Sequence, residues 1–99
     1  MVENFMNEKV IIRGDRSGVF FGTLVAQEGT EVKLENCRRL WYWDGAASIS
    51  QLAVDGTKEP RNCKFTVTVT EIIITDVLEI IPCTYEAAKS IEGVNEWKR

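Results

Sequence analysis

Hydrophobic and polar positions alternate along much of this chain with the period of strands. Lys9 to Arg13 sets Val10 and Ile12 between charged ends, and Gly14-Asp15-Arg16-Ser17-Gly18 supplies the turn residues of a first hairpin. Val19 to Ala26 is rich in Phe and β-branched residues, Glu28-Gly29-Thr30 turns it, and Val32 to Glu35 forms the return strand. Gly22, inside the second strand, predicts a bend or a close backbone approach. The run Arg38-Arg39-Leu40-Trp41-Tyr42-Trp43-Asp44-Gly45 is expected to be a fourth, separate strand. Phe65, Val67 and Val69 alternate with Thr66, Thr68 and Thr70, predicting a strand with one buried and one wetter face. Ile72–Ile74 and Val77–Ile81 continue in strand-forming sequence broken at Thr75-Asp76, and Pro82 ends the ladder because it has no N–H to donate.

Two segments change period. Ser48 with Gln51 three residues on makes a capping box, and Gly56 stops a helix of about two turns. Thr57 to Asn62, with Pro60, reads as a loop. Thr84 caps a last helix through Ile91, with Glu86 in its first turn and Gly93 at its end. Asn95 and Trp97 follow in the tail, and a Trp there suggests that the tail docks. The expected fold is mainly β: a small, strongly twisted antiparallel barrel or sheet of about six strands with two short helices, one domain over residues 1–99. Its small interior predicts that some apolar groups are covered between subunits.

Composition narrows the chemistry. The 99 residues contain no His, which removes Ser-His-Asp and Cys-His catalysis and leaves only carboxylates or Lys for acid–base work; no enzymatic activity and no cofactor is expected. Cys37, Cys63 and Cys83 have no CxxC spacing and are expected to be reduced, buried thiols. Glu28, Glu31, Glu35, Asp44, Asp55, Glu71, Asp76 and Glu79 show no metal-ligand spacing and read as a solvated surface. The N-terminus, Met1 to Phe5, lacks the pattern of a signal peptide, and no stretch approaches the ~20 apolar residues that cross a bilayer. A net charge of −3 disfavours DNA or any other long nucleic acid as a partner, so a nucleotide ligand should be small.

The aromatic run then stands out. Six successive residues, Arg38 to Trp43, hold two of the cations and three of the largest rings of the chain. Rings stack on planar bases and guanidinium forks onto phosphate, so the composition suits a nucleotide-like ligand; it also suits a core strand with charged flanks. On a strand, Arg39, Trp41 and Trp43 share one face and Arg38 and Tyr42 the other. Arg39 on a buried face would need a charge partner such as Asp44, and Arg38 suits a solvated or salt-bridged role as well as binding.

Gly18-Val19-Phe20-Phe21-Gly22, Arg38 to Ala46, Ser50-Gln51-Leu52-Ala53, Cys63-Lys64-Phe65 and Glu79-Ile80-Ile81-Pro82 together resemble the first family of phage Thoeris anti-defence proteins, over about Val10 to Trp97. The RRLWYWDGA block followed by QLA is the most specific part. The resemblance implies a phage protein that acts in the cytoplasm of the infected bacterium as a sponge. It would sequester, without cleaving, the cyclic ADP-ribose isomers by which TIR-domain enzymes signal infection. It further implies a homo-oligomer, dimer or hexamer, with pockets between subunits and, in some members, cyclic di- or trinucleotides at a second site. In that setting Tyr85 lies beside the free N–H groups of the last helix, Asn95 can read a base edge, and Arg61 can clamp a phosphate. Their structural alternatives are a surface tyrosine, a helix-exit asparagine and a solvated arginine. Arg13 and Arg16 are weaker candidates for a separate nucleotide site. Gly18 to Asn36 also echoes an Sm-like hairpin, so the competing class is a small-barrel RNA-binding module, against which the acidic charge argues.

Overall fold

The computed structural model describes Phe5–Arg99; the signal-peptide reading falls mainly on residues 1–4, outside the described residues. Six strands and two helices follow in the order β1 (Lys9–Gly14), β2 (Val19–Glu28), β3 (Glu31–Tyr42), α1 (Ile49–Asp55), β4 (Lys64–Phe65), β5 (Val69–Ile74), β6 (Val77–Pro82) and α2 (Tyr85–Glu92), with a 3-10 turn at Pro60–Asn62. The six strands form one antiparallel sheet in the order β4-β3-β2-β1-β6, with β5 also on the far edge of β3. β5 and β6 are consecutive in the chain yet stand at opposite ends of that order. The sheet curls so that β5 ends and β6 starts at the Thr75-Asp76 corner, but they do not pair, and the barrel stays open.

The expectation of a mainly β barrel or sheet of about six strands with two short helices therefore holds, as a sheet that does not close, with three corrections. Val32–Glu35 and the aromatic run as far as Tyr42 are one strand of 12 residues, not two, and Trp43 lies just beyond its end. The strand expected over Phe65 to Thr70 is two pieces: Phe65 is buried in β4, whereas Val67 and Val69 are exposed, so their alternation with Thr does not mark a buried face. β1 does not alternate in burial either, since Val10, Ile11 and Ile12 are all fully buried.

The reason is that the sheet has a core on each side. Val10, Ile12, Phe20, Leu24, Val32, Leu34, Cys37 and Ile74 fill the inside of the curl. Ile11, Phe21, Leu40 and Phe65 face the helices and pack on Leu52, Ala53, Ala88 and Ile91. Each large side chain so buried is worth about 1.5–3 kcal/mol. The helix signals behave as expected: Ser48 Oγ accepts from Gln51 N at 3.1 Å, Gly56 ends α1 at φ 74°, and Thr84 Oγ1 accepts from Ala87 N at 3.0 Å. Gly22 is where β2 meets β3 most tightly, since a Cβ there would lie 3.1 Å from Glu35 O and 3.2 Å from Cys37 Cα.

Candidate functional site

The site begins at an irregularity in β3. Phe21 pairs with Arg38 and Thr23 with Glu35, so Asn36 and Cys37 stand opposite the single residue Gly22. Asn36 takes up the extra residue at φ 51°, a left-handed conformation that Asn tolerates better than most side chains. The bulge reverses the parity of the strand. Before it, Val32 and Leu34 point into the curl; after it Cys37 does, and Arg38 and Leu40 are turned toward the helices.

Arg38 is thereby driven into the core, which overturns its reading as a solvated or ligand-binding residue. Its side chain is 4% exposed. Its Nη1 donates to the carbonyl oxygens of Ile91 and Val94, both at 2.9 Å, its Nη2 to Phe65 O at 3.1 Å, and its Nε to Thr66 O at 3.0 Å. The guanidinium also lies 5.5 Å from the centre of the Phe65 ring. Burial lowers its pKa from the ordinary value, with the charge of Glu96 opposing the shift. The fork replaces the usual helix stop: Gly93 has φ −81°, outside the left-handed region, and the cation takes the carbonyls at the negative end of α2.

Arg39 has the opposite environment. It is exposed on the other face, with its guanidinium 4.7 Å over the Phe20 ring. Asp44 does not neutralise it, being engaged by Gly45 N and Asn62 Nδ2. Among the described residues, Arg16, Arg39 and Arg61 have no carboxylate within ion-pair distance, whereas Arg13 is paired with Glu79. Arg39, Trp41 and Trp43 line one cleft of about 320 Å³ together with Arg16 and Ser17 of the β1–β2 turn. That turn is held by the Asp76 carboxylate, which accepts from Arg16 N, Ser17 N and Ser17 Oγ; these bonds, the Ser17 hydroxyl first, lower its pKa.

A second cleft, of about 430 Å³, brings together Arg61, Asn95 and Trp97. The tail reaches it because Glu96 bridges to Phe65 and Trp97 N donates to Phe65 O at 2.9 Å. Trp97 stacks on Trp41, with the rings 6.3 Å apart and 9° from parallel, so this aromatic pair separates the two clefts. Lys64 Nζ lies 5.5 Å from the Trp97 ring. The docked tail predicted for Trp97 is thus present, and its dock is Trp41.

Tyr85 joins neither cleft. It is 72% exposed and lines a third hollow of about 600 Å³, with Lys9, Cys83, Lys89 and Glu92. Lys89 Nζ lies 5.2 Å from its ring. Cys37 and Cys63 are buried and Cys83 is half-buried, all three free. Burial pushes the Cys37 and Cys83 thiols up to about 12, so neither is a nucleophile at neutral pH. Among the described residues no group of three or more Asp, Glu or Cys side chains could hold a metal ion, and no helix is long and apolar enough to cross a membrane.

Residues 7–91 match the model of a domain family of unknown function, DUF6948. The chain belongs to that family. Its sequence matches no curated protein. The DUF6948 match takes in the whole Arg16–Arg39–Trp41–Trp43 cleft and Arg61, and stops before Asn95 and Trp97.

Sequence reasoning missed Trp97 as a wall of the Arg61 cleft and Arg16 as the companion of Arg39. The first needed the Phe65–Glu96 bridge, a contact between residues far apart in the chain. The second could have been suspected from Arg16 sitting in a glycine-flanked turn, where a cation has no strand neighbour to neutralise it.

Proposed function

We propose that this protein binds a cyclic ADP-ribose isomer and holds it uncleaved, withdrawing the Thoeris immune signal in the cytoplasm of a phage-infected bacterium. The observation that carries the reading is the convergence of Arg61, Asn95 and Trp97 in one cleft. An unpaired guanidinium meets a diphosphate, an amide meets a base edge, and an indole offers the flat apolar face that adenine stacks on. The volume of about 430 Å³ lies in the ~300–1,000 Å³ range of small-molecule pockets. The resemblance of the RRLWYWDGA and QLA blocks supplies the identity of the ligand and the anti-defence role. The absence of His and the thiols raised to about 12 agree with sequestration without hydrolysis.

The Arg16–Arg39 cleft is the candidate second site for cyclic di- or trinucleotides. Exposed Ile73, Leu78, Val69 and Tyr85 supply apolar surface for a homo-oligomer.

Titration calorimetry with cyclic ADP-ribose isomers at micromolar protein should give a Kd below about 1 μM, roughly −8 kcal/mol or better. Heating the complex should return the ligand intact. No heat of binding with any isomer sinks the reading; a cleaved product makes the protein a hydrolase, and binding of single-stranded RNA in its place favours the small-barrel RNA module.

A further inference from the structure

From the bonds that Arg38 makes, we infer that it is the positioning residue of the Arg61–Asn95–Trp97 cleft; the ligand part of this inference rests on the function proposed above. Arg38 itself is too buried to touch a ligand. Its fork instead joins three segments by hydrogen bonds from one side chain: β3, which carries it, the exit of β4 through Phe65 O and Thr66 O, and the end of α2 through Ile91 O and Val94 O. Val94 immediately precedes Asn95. Phe65 O is shared, accepting from Arg38 Nη2 at 3.1 Å and from Trp97 N at 2.9 Å. The two anchors bracket Asn95 and Glu96, so Arg38 fixes from beneath both the start of the tail and the carbonyl on which Trp97 docks.

Lys cannot replace it. An ammonium has three donors at a single point, whereas the carbonyls here lie on two sides of a planar fork. With Arg38→Lys one side of the fork is lost, so that either Val94 O or Thr66 O gives up the donor that Arg38 supplies, and Trp97 loses its register on Trp41.

The test uses Arg38→Lys and Arg38→Met, the latter filling the space with an apolar chain of similar length. The Trp41–Trp97 pair provides a ligand-independent signal, its exciton couplet in circular dichroism, defined by its loss in Trp97→Phe. At low temperature, where the strand and helix signals of the parent are retained, Arg38→Lys should lose the couplet and bind cyclic ADP-ribose at least roughly tenfold more weakly, the scale of one lost charge-assisted contact. A merely structural role would lower the melting temperature and leave both the couplet and the affinity of the folded protein as in the parent; that result overturns the assignment. If neither variant folds, Arg38 is a residue of the fold alone and the assignment also falls. If the parent binds no cyclic ADP-ribose, the function proposed above fails, while the couplet still decides whether Arg38 sets the tail.

Discussion

Arg38 and Arg39 are chemically identical neighbours with opposite fates. Arg38 is sealed among four carbonyl acceptors at 2.9–3.1 Å; Arg39 lies exposed on the face of Phe20, with that phenyl ring beneath it and no carboxylate in ion-pair reach among the described residues. What separates them is their side of β3, and that side was set by the bulge at Asn36 two residues earlier. Residue type therefore says that a cation is available; strand parity decides whether it can meet a ligand or must satisfy the fold.

The sharpest way to break this contrast is to truncate each arginine. Arg38→Ala removes the guanidinium donors from those buried carbonyls and empties their pocket, and should cost about 3–5 kcal/mol of stability, measured by denaturant unfolding. A loss under 1 kcal/mol would show that the core does not depend on the fork. Arg61→Ala should leave the fold intact and weaken cyclic ADP-ribose binding by about 1.5–3 kcal/mol, read by calorimetry. Tyr85→Ala sharpens the same experiment: a stacking loss of ~1–3 kcal/mol means that its hollow completes the tail cleft across a subunit contact, and an unchanged Kd confines the site to Arg61, Asn95 and Trp97.

The hinge of the comparison is testable too. Asn36→Val puts a β-branched residue at φ 51° and should destabilise by roughly 1–2 kcal/mol, whereas Asn36→Gly should be neutral or better. Equal melting temperatures for both variants would mean that β3 has slipped register rather than kept its bulge. Arg39→Ala should change stability by less than about 0.5 kcal/mol while reducing nucleotide binding at the Arg16–Arg39 cleft.

Asp76 gives the smallest effect. Its folded pKa lies below the ordinary 3.8, so its hold on the β1–β2 turn is fully present above 3.8 and is lost as pH falls through the lower, folded value. Asp76→Asn should therefore melt below the parent at pH 7, with the gap narrowing as pH falls below 3.8 and closing once the folded carboxylate is protonated. A gap that persists in acid would assign the effect to something other than the carboxylate charge.

The elements whose determinants are local were legible in the chain. Ser48 with Gln51, Thr84, Gly56 and Pro82 fix their ends through bonds or missing bonds within a few residues, and all four do so here. The face partition of Arg39 and Trp41 against Arg38 was legible as well, because it follows from period two. Which face would be buried was not legible, since it depends on Phe65, Ile91 and Val94, more than 25 residues away in sequence. The expected alternation of Val67 and Val69 failed for the same reason: Val67 precedes β5, β5 pairs with β3, and both valines stay exposed. Of the candidate ligand residues, Arg61 and Asn95 are brought together, Arg39, Trp41 and Trp43 form a second group, Tyr85 lies apart, and Arg38 belongs to the core.

The reach of the Arg38 fork also sets a clock on synthesis. Its acceptors on Ile91 and Val94 lie 53 and 56 residues further along the chain. At about 5–20 residues per second, the ribosome needs roughly 3–11 s to deliver them after Arg38 has been made. During that interval the β1–β2 hairpin can zip, β3 can add to it and α1 can follow, but the guanidinium must remain hydrated and the helix-facing side of the sheet lacks the cover of α2. The nascent chain therefore waits half-assembled, with Phe21 and Leu40 open to other molecules, until α2 emerges and the buried cation can be closed in.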